Sequence, residues 1–181
     1  MFKKVETTKE LNTARHLHRV IFEEKNFVVE EINPEAIQYL FYEEDKAIGL
    51  VEFIPYHPEI FTTIENDFAF SEINDIQCHQ GTTWEVDKLG LFPEYRKKGY
   101  MNAIIDCLAY HAVVYGATRY VALLDALFFR MLQIAYRKYP IKKVGKTFTV
   151  TGEKSKSVPV IVDMEKSIQI YMRDNKDRVK I

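Results

Sequence analysis

The chain has 181 residues, enough for one domain with a full hydrophobic core but a squeeze for two. A hydrophobic fraction of 47% and an aromatic fraction of 13%, with only 7 Gly and 6 Pro, exclude disordered and fibrous classes. A formal net charge of −1 removes any general electrostatic drive toward nucleic acid or acidic lipid.

Phe2 to Glu6 reads as a short first strand. Thr7 or Thr8 then caps a helix whose inner face is Leu11, Ala14, Leu17 and Ile21, running to about Glu24. Phe27 to Pro34 carries no clear period. Ala36 to Tyr42 and Ala47 to Tyr56 are rich in strand formers; the polar link Glu43-Glu44-Asp45-Lys46 makes them an antiparallel hairpin, which His57-Pro58 breaks. Thr62 to Phe70 is open between strand and short helix. From Thr83 to Leu91 the bulky residues Trp84, Val86, Leu89 and Leu91 alternate with polar ones, with one slip in phase, which predicts a strand with a β-bulge.

Pro93 stops that strand. Met101, Ile104, Ile105, Leu108, Ala109, Ala112 and Val113 then follow helical spacing, so a helix is expected from about Gly99 to Tyr115 with Gly116 as its C-cap. Tyr120 to Leu124 is a buried-type strand. Asp125 is placed to cap a helix from Leu127 to Lys138, with Phe128, Met131, Leu132 and Ala135 on one face and Pro140 ending it. Val144 to Val150 and Val158 to Met164 read as two final strands joined across Thr151 to Ser157, and a helix from about Glu165 to Arg173 follows. Hairpins first and strand–helix–strand–helix–strand later indicate an α/β (α+β) fold. The expectation is a single domain over residues 1–181, with a mixed, mostly antiparallel sheet and flanking helices.

Arg96, Lys97 and Lys98 fall at the N-terminus of the central helix. Cations there oppose the helix dipole at a cost of roughly 0.3–1 kcal/mol each, and the sign reverses if a phosphate docks on the free backbone N–H groups. The competing reading is a solvated basic turn. The crossover from Leu91 to Tyr120 should be parallel and right-handed, and ligands collect beyond the carboxyl ends of such strands, which puts the turn at the ligand edge.

Cys78 and Cys107 fit free thiols in a cytoplasmic protein, and Cys78-His79 lacks the partners of a metal site. No apolar run nears the roughly 20 residues needed to span a bilayer, and Met1 to Glu6 lacks the apolar stretch of a signal peptide. His57 and His79 fall in loops, where they could act as bases. His16, His18 and His111 fall within helices, structural or solvated.

The run Leu89-Gly90-Leu91-Phe92-Pro93-Glu94-Tyr95-Arg96-Lys97-Lys98-Gly99-Tyr100-Met101 resembles the strand, turn and helix start of the GCN5-related N-acetyltransferase (GNAT) superfamily. That turn, Arg/Gln-x-x-Gly-x-Gly/Ala, receives the pyrophosphate of coenzyme A; Met101 stands where Gly or Ala is usual. Tyr136-Arg137-Lys138-Tyr139-Pro140-Ile141 is similar to the family's tyrosine-bearing helix end, with Pro140 and Ile141 replacing Gly and Phe. Glu85-Val86-Asp87-Lys88 resembles the Glu-x-x-Arg strand of the acyl-homoserine-lactone and N-acyl amino acid synthases, with Lys88 for the arginine.

The resemblance implies the GNAT fold and an N-acyltransferase. Its acyl donor would be acetyl-CoA or a longer acyl-CoA, or an acyl carrier protein, and its acceptor an amine of a small molecule or peptide, with no metal. It implies Leu89, Gly90, Leu91, Arg96, Lys97, Lys98, Gly99, Tyr100 and Met101 as the donor-binding set. Glu85 would take the amine proton, directly or through water, a backbone N–H near Gly90 or Leu91 would polarise the thioester carbonyl, and Tyr136 would protonate the leaving thiolate, with Tyr139 a near rival.

Structural alternatives stand beside these roles. Glu85 would pair with Lys88 on an exposed strand face, and Tyr136 would be a half-buried core aromatic. Phe22, Phe27, Tyr39, Phe41, Phe53 and Phe61 suit a long acyl chain or an ordinary core. The departures at Lys88, Met101, Pro140 and Ile141 would equally suit an acyl-CoA-binding regulator without turnover. Nucleic acid is not an expected partner, and a sheet edge or the late hairpin could pair two copies.

Overall fold

The computed structural model of the chain describes residues 1–23, 33–59, 64–151 and 154–176. Expectations for Glu24, for most of Phe27 to Pro34 with Phe27 itself, for Phe61, Thr62 and Thr63, and for Gly152 and Glu153 lie outside the described residues. In chain order the elements are β1 (Phe2–Lys4), α1 (Thr8–Glu23), β2 (Ile37–Glu43), β3 (Lys46–Pro55), α2 (Ile64–Asp67), α3 (Asn74–Cys78), β4 (Thr83–Leu91), α4 (Met101–Tyr115), β5 (Arg119–Asp125), α5 (Ala126–Ala135), β6 (Ile141–Lys143), β7 (Ser157–Asp163) and α6 (Met164–Asp174). They form one sheet in the order β1-β2-β3-β4-β5-β7-β6, in which the β4–β5 pair is parallel and the others antiparallel. This is the expected mixed, mostly antiparallel α/β fold.

Local sequence explains most boundaries. Thr7 and Glu10 make a reciprocal capping box at the start of α1: Glu10 N–H donates to Thr7 Oγ1 (3.2 Å) and Thr7 N–H to Glu10 Oε2 (3.0 Å), worth about 1 kcal/mol. Asp125 accepts from Leu127 N and Phe128 N to open α5. Gly116, at φ 65°, closes α4 in the left-handed conformation that costs glycine nothing.

Alternation along the strands sorts side chains to two faces. Tyr39, Phe41, Phe53 and Tyr120 point to the face covered by α4 and α6, with Ile104, Cys107 and Met164 packed against them. Leu40 and Leu50 meet Ala14, Leu17 and Ile21 of α1 on the other face, where Tyr56 and Val121 also pack under Ile64, Phe70 and Ile76. Tyr39, Phe41 and Phe53 are therefore core, 1%, 1% and 0% exposed. Among the described residues no helix is long and apolar enough to cross a membrane.

Three expectations are corrected. The helix expected to reach Lys138 stops at Ala135, because Tyr136 leaves helical geometry (φ −125°, ψ 27°) and a turn leads into Pro140. Of its expected inner face only Leu132 is buried; Phe128 is half-buried, while Met131 and Ala135 are exposed, because α5 lies at the rim of the sheet. The late edge strand is Ile141–Lys143, not Val144 to Val150, which joins the sheet only through a bridge between Phe148 and Ser157. Phe68 packs against this stretch: a Cβ on Gly145 would lie 2.3 Å from its ring, and the ring runs near-parallel to that of Phe148. The ambiguous stretch before Phe70 contains the short helix α2.

Candidate active site

Strands β4 and β5 hold together over only three residue pairs, Thr83↔Arg119, Trp84↔Tyr120 and Glu85↔Val121. Beyond them β4 continues along β3 and β5 along β7, so the sheet opens like a V whose apex is Glu85 and Val121. The expected bulge helps to part them. The β3–β4 register shifts between Leu50 and Glu52, placing Lys88 at φ 48°. Gly49 permits the bend, since a Cβ there would meet Gly90 O at 2.4 Å.

Next to this opening lies a cavity of about 90 Å³. Val86 and Leu89 of β4, Ala122 and Leu124 of β5, Leu108 of α4 and Leu132 of α5 line it, and Tyr136 and Tyr139 stand at its wall. An apolar cavity of this kind suits an alkyl chain.

Beyond β4, a turn at Pro93–Tyr95 leads into the basic segment. Arg96 is half-buried, and its Nε donates to Leu91 O at 3.0 Å, which ties the turn to the strand end. Lys97 and Gly99 both have positive φ, 62° and 87°, and Tyr100 after Gly99 is helical; a left-handed residue followed by a helical one is a pairing that turns successive N–H groups toward an anion. Tyr100, the N-cap of α4, makes no side-chain capping bond, so no side chain at that position competes for the first-turn N–H groups. Lys97 and Lys98 are exposed, and the Lys98 ammonium lies 5.3 Å from the Tyr95 ring centre. Tyr100 donates its hydroxyl to Glu43. Met101 opens α4 and lines the cavity. The residues present thus fit a diphosphate joined to an apolar arm.

Leu89, Met101 and Tyr136 come together on the cavity, at one end of which the basic turn sits. Glu85 does not join them on that face. It alternates with the cavity-lining Val86, so its side chain lies on the α1–α3 side, at the apex of the V, 3% exposed. The pairing of Glu85 with Lys88 is overturned. Lys88 Nζ donates instead to Glu52 Oε1 (2.8 Å) and Asp87 Oδ2 (2.9 Å), and Gln38 Nε2 donates to Glu52 Oε2 (2.7 Å).

Burial alone would push the Lys88 ammonium down, but the Asp87 and Glu52 carboxylates outweigh it and hold it above the usual range. Burial raises Glu52, against the pull of Lys88. His18 of α1, also buried, is held down to about 4 by burial and by Lys88, and is therefore neutral at pH 7. Sequence reasoning missed Gln38, Glu52 and Asp87. One signal was available: Glu52 is the lone charge within the apolar run Ile48 to Ile54. Among the described residues no group of His, Cys, Asp and Glu is arranged to hold a metal ion.

A family model described as the acetyltransferase (GNAT) family matches residues 5–128. By sequence, no curated protein matches the chain. Among solved structures, FeeM, an N-acyl amino acid synthase from uncultured soil microbes, superposes with a TM-score of 0.73 at 10% identity, over 94% of this chain and 97% of its own. BjaI, a CoA-dependent acyl-homoserine lactone synthase, gives 0.66 at 12% identity, over 96% and 88%. The spermidine N-acetyltransferase from Vibrio cholerae in complex with CoA and spermine gives 0.60 at 15% identity, over 93% and 97%. At these identities the likeness is one of fold.

Proposed function

The chain belongs to the acetyltransferase (GNAT) family and is an acyltransferase, and we propose that it moves an acyl group from acyl-CoA to the amine of a small molecule. The observation that carries this reading is the parting of β4 and β5 at Glu85 and Val121 beside an apolar cavity, with a cationic turn at the open end. The thioester arm lies in the V, its phosphates on the N–H groups from Lys97 to Met101 with Arg96 and Lys98 nearby. Backbone N–H near Gly90 or Leu91 polarises the carbonyl. The amine nitrogen attacks from the α1–α3 side, forming the C–N bond as the C–S bond breaks. Glu85 receives its proton, directly or through water, and Tyr136 gives one to the departing sulfur.

The cavity supports an acyl chain longer than acetyl, since its apolar walls run from β4 past Leu132 to Ile141 and Tyr171. FeeM, an N-acyl amino acid synthase, and BjaI, a CoA-dependent acyl-homoserine lactone synthase, have the same fold. A carrier protein is a second source of the thioester. Leu127 and Ile134 on α5 are 75% and 71% exposed, and every charged residue from Ala126 to Val150 is Lys or Arg, a surface suited to an acidic protein that delivers the arm.

Calorimetric titration with acetyl-CoA and with acyl-CoAs of increasing length tests the reading. Binding that tightens with chain length supports it, and absence of heat with all of them overturns it. Arg96→Ala with Lys98→Ala should weaken binding more than about tenfold through the lost phosphate contacts.

A further inference from the structure

We infer that the acceptor is a small amine bearing a second positive charge and no carboxylate, of the diamine class. The inference rests on the acyltransferase reading and concerns the α1–α3 side of the V. There Gln38, Glu52 and Asp87 stand in register across β2, β3 and β4, and Glu85 follows Asp87 two residues along the same face of β4. Glu52 and Asp87 thus share one ammonium, Lys88, which is 5% exposed and spent on both, and Glu85 adds a further carboxylate to the face. Arg119, the next cation on this face, is held by Asp75 and Glu165, each at 3.1 Å. Arg15 and Arg19 of α1 are exposed while Leu17 and His18 are buried. An acceptor carboxylate would find no available cation among the described residues of this face; an ammonium finds carboxylates.

An independent observation points the same way. Gln38, 5% exposed, gives its Nε2 hydrogen to Glu52, and its Oε1 accepts from no described residue. A buried carbonyl oxygen of this kind calls for an N–H donor. Two stretches of the chain carry charge of matching sign. Apart from histidine, every charged residue between Lys46 and Lys88 is Asp or Glu, whereas the donor side carries Arg96, Lys97, Lys98 and the basic stretch after Ala126. The two halves of the site carry opposite signs: cations where a phosphorylated donor enters, carboxylates where the amine enters. Asp87, with 34% of its side chain exposed, is the carboxylate within reach of solvent. It stands about 7 Å along the strand from Glu85, the span of a four-carbon diamine with its reacting nitrogen at Glu85.

The test is calorimetry on the full chain in the presence of free CoA, comparing 1,4-diaminobutane with 4-aminobutanoate, which replaces one ammonium by a carboxylate. The diamine should bind at least tenfold tighter, and Asp87→Asn should reduce that preference about tenfold while CoA affinity stays the same. Equal or tighter binding of 4-aminobutanoate overturns the inference without recourse to any variant. So does a protein that binds CoA but not the diamine, and this result leaves the acyltransferase reading standing. A chain that binds no CoA overturns both.

Discussion

Lys88 and Glu52 form a buried ion pair between β4 and β3, with Nζ 2.8 Å from Oε1 and side chains 5% and 0% exposed. Removing one member leaves the other as an uncompensated buried charge. Lys88→Met should therefore cost about 3–5 kcal/mol in denaturant unfolding, and adding Glu52→Leu should recover much of that loss. A double variant no more stable than the single would show that the pair is not coupled.

The turn depends on backbone conformation as well as charge. Gly99 sits at φ 87°, and a Cβ there would meet nothing within 4 Å, so Gly99→Ala suffers only conformational strain of about 1 kcal/mol. Acyl-CoA affinity should fall because the alternative that relieves the strain turns the N–H groups away. Gly49→Ala acts differently: its Cβ would sit 2.4 Å from Gly90 O, an overpacking cost of about 1–3 kcal/mol that also shifts the bulge. Thermal unfolding beside CoA titration separates the two effects.

Tyr136 and Tyr139 both line the cavity, so position alone does not rank them. With Tyr136 as the proton donor, Tyr136→Phe should lower kcat about 100-fold with little change in KM, and Tyr139→Phe should change it by no more than about twofold. Steady-state rates of thioester cleavage decide, and the reverse ranking would move the role to Tyr139.

Two buried histidines predict how stability varies with pH. His111 stacks on Phe53 at 3.8 Å; Tyr120 donates its hydroxyl to Leu108 O, so His111 Nδ1–H donates to Tyr120 Oη at 2.7 Å. Burial holds His111 down to about 3 and His18 to about 4, both from 6.5. Between 6.5 and these values the unfolded chain binds more protons than the folded one, so stability is full above pH 6.5 and falls on acidification. Each histidine contributes up to about 1.4 kcal/mol per pH unit in its window. His111→Phe should flatten the decline, measured by urea unfolding from pH 7 to 4.

The strand–turn–helix segment that carries the proposed donor site was legible in the sequence because its signals are local. Alternation from Trp84 to Leu91, Pro93 as a stop, basic residues before Gly99 and helical spacing after it all act within a few residues of one another. The late strand was misplaced for the opposite reason: Val144 to Val150 has strand composition, but Ile141–Lys143 is the stretch that pairs with β7, and that choice depends on neighbours far away in sequence.

Sequence by itself thus determined the strand–turn–helix order, the bulge, the caps and the cationic turn, all set by backbone preferences and short-range hydrogen bonds. Only the tertiary structure decided that β4 and β5 part after Glu85, that Lys88 is committed to Glu52 and Asp87, and that Glu85 lies across the sheet from the cavity. Those facts depend on which face each strand turns toward its neighbours, and on Glu52, 36 positions from Lys88, claiming its ammonium; no local pattern encodes them.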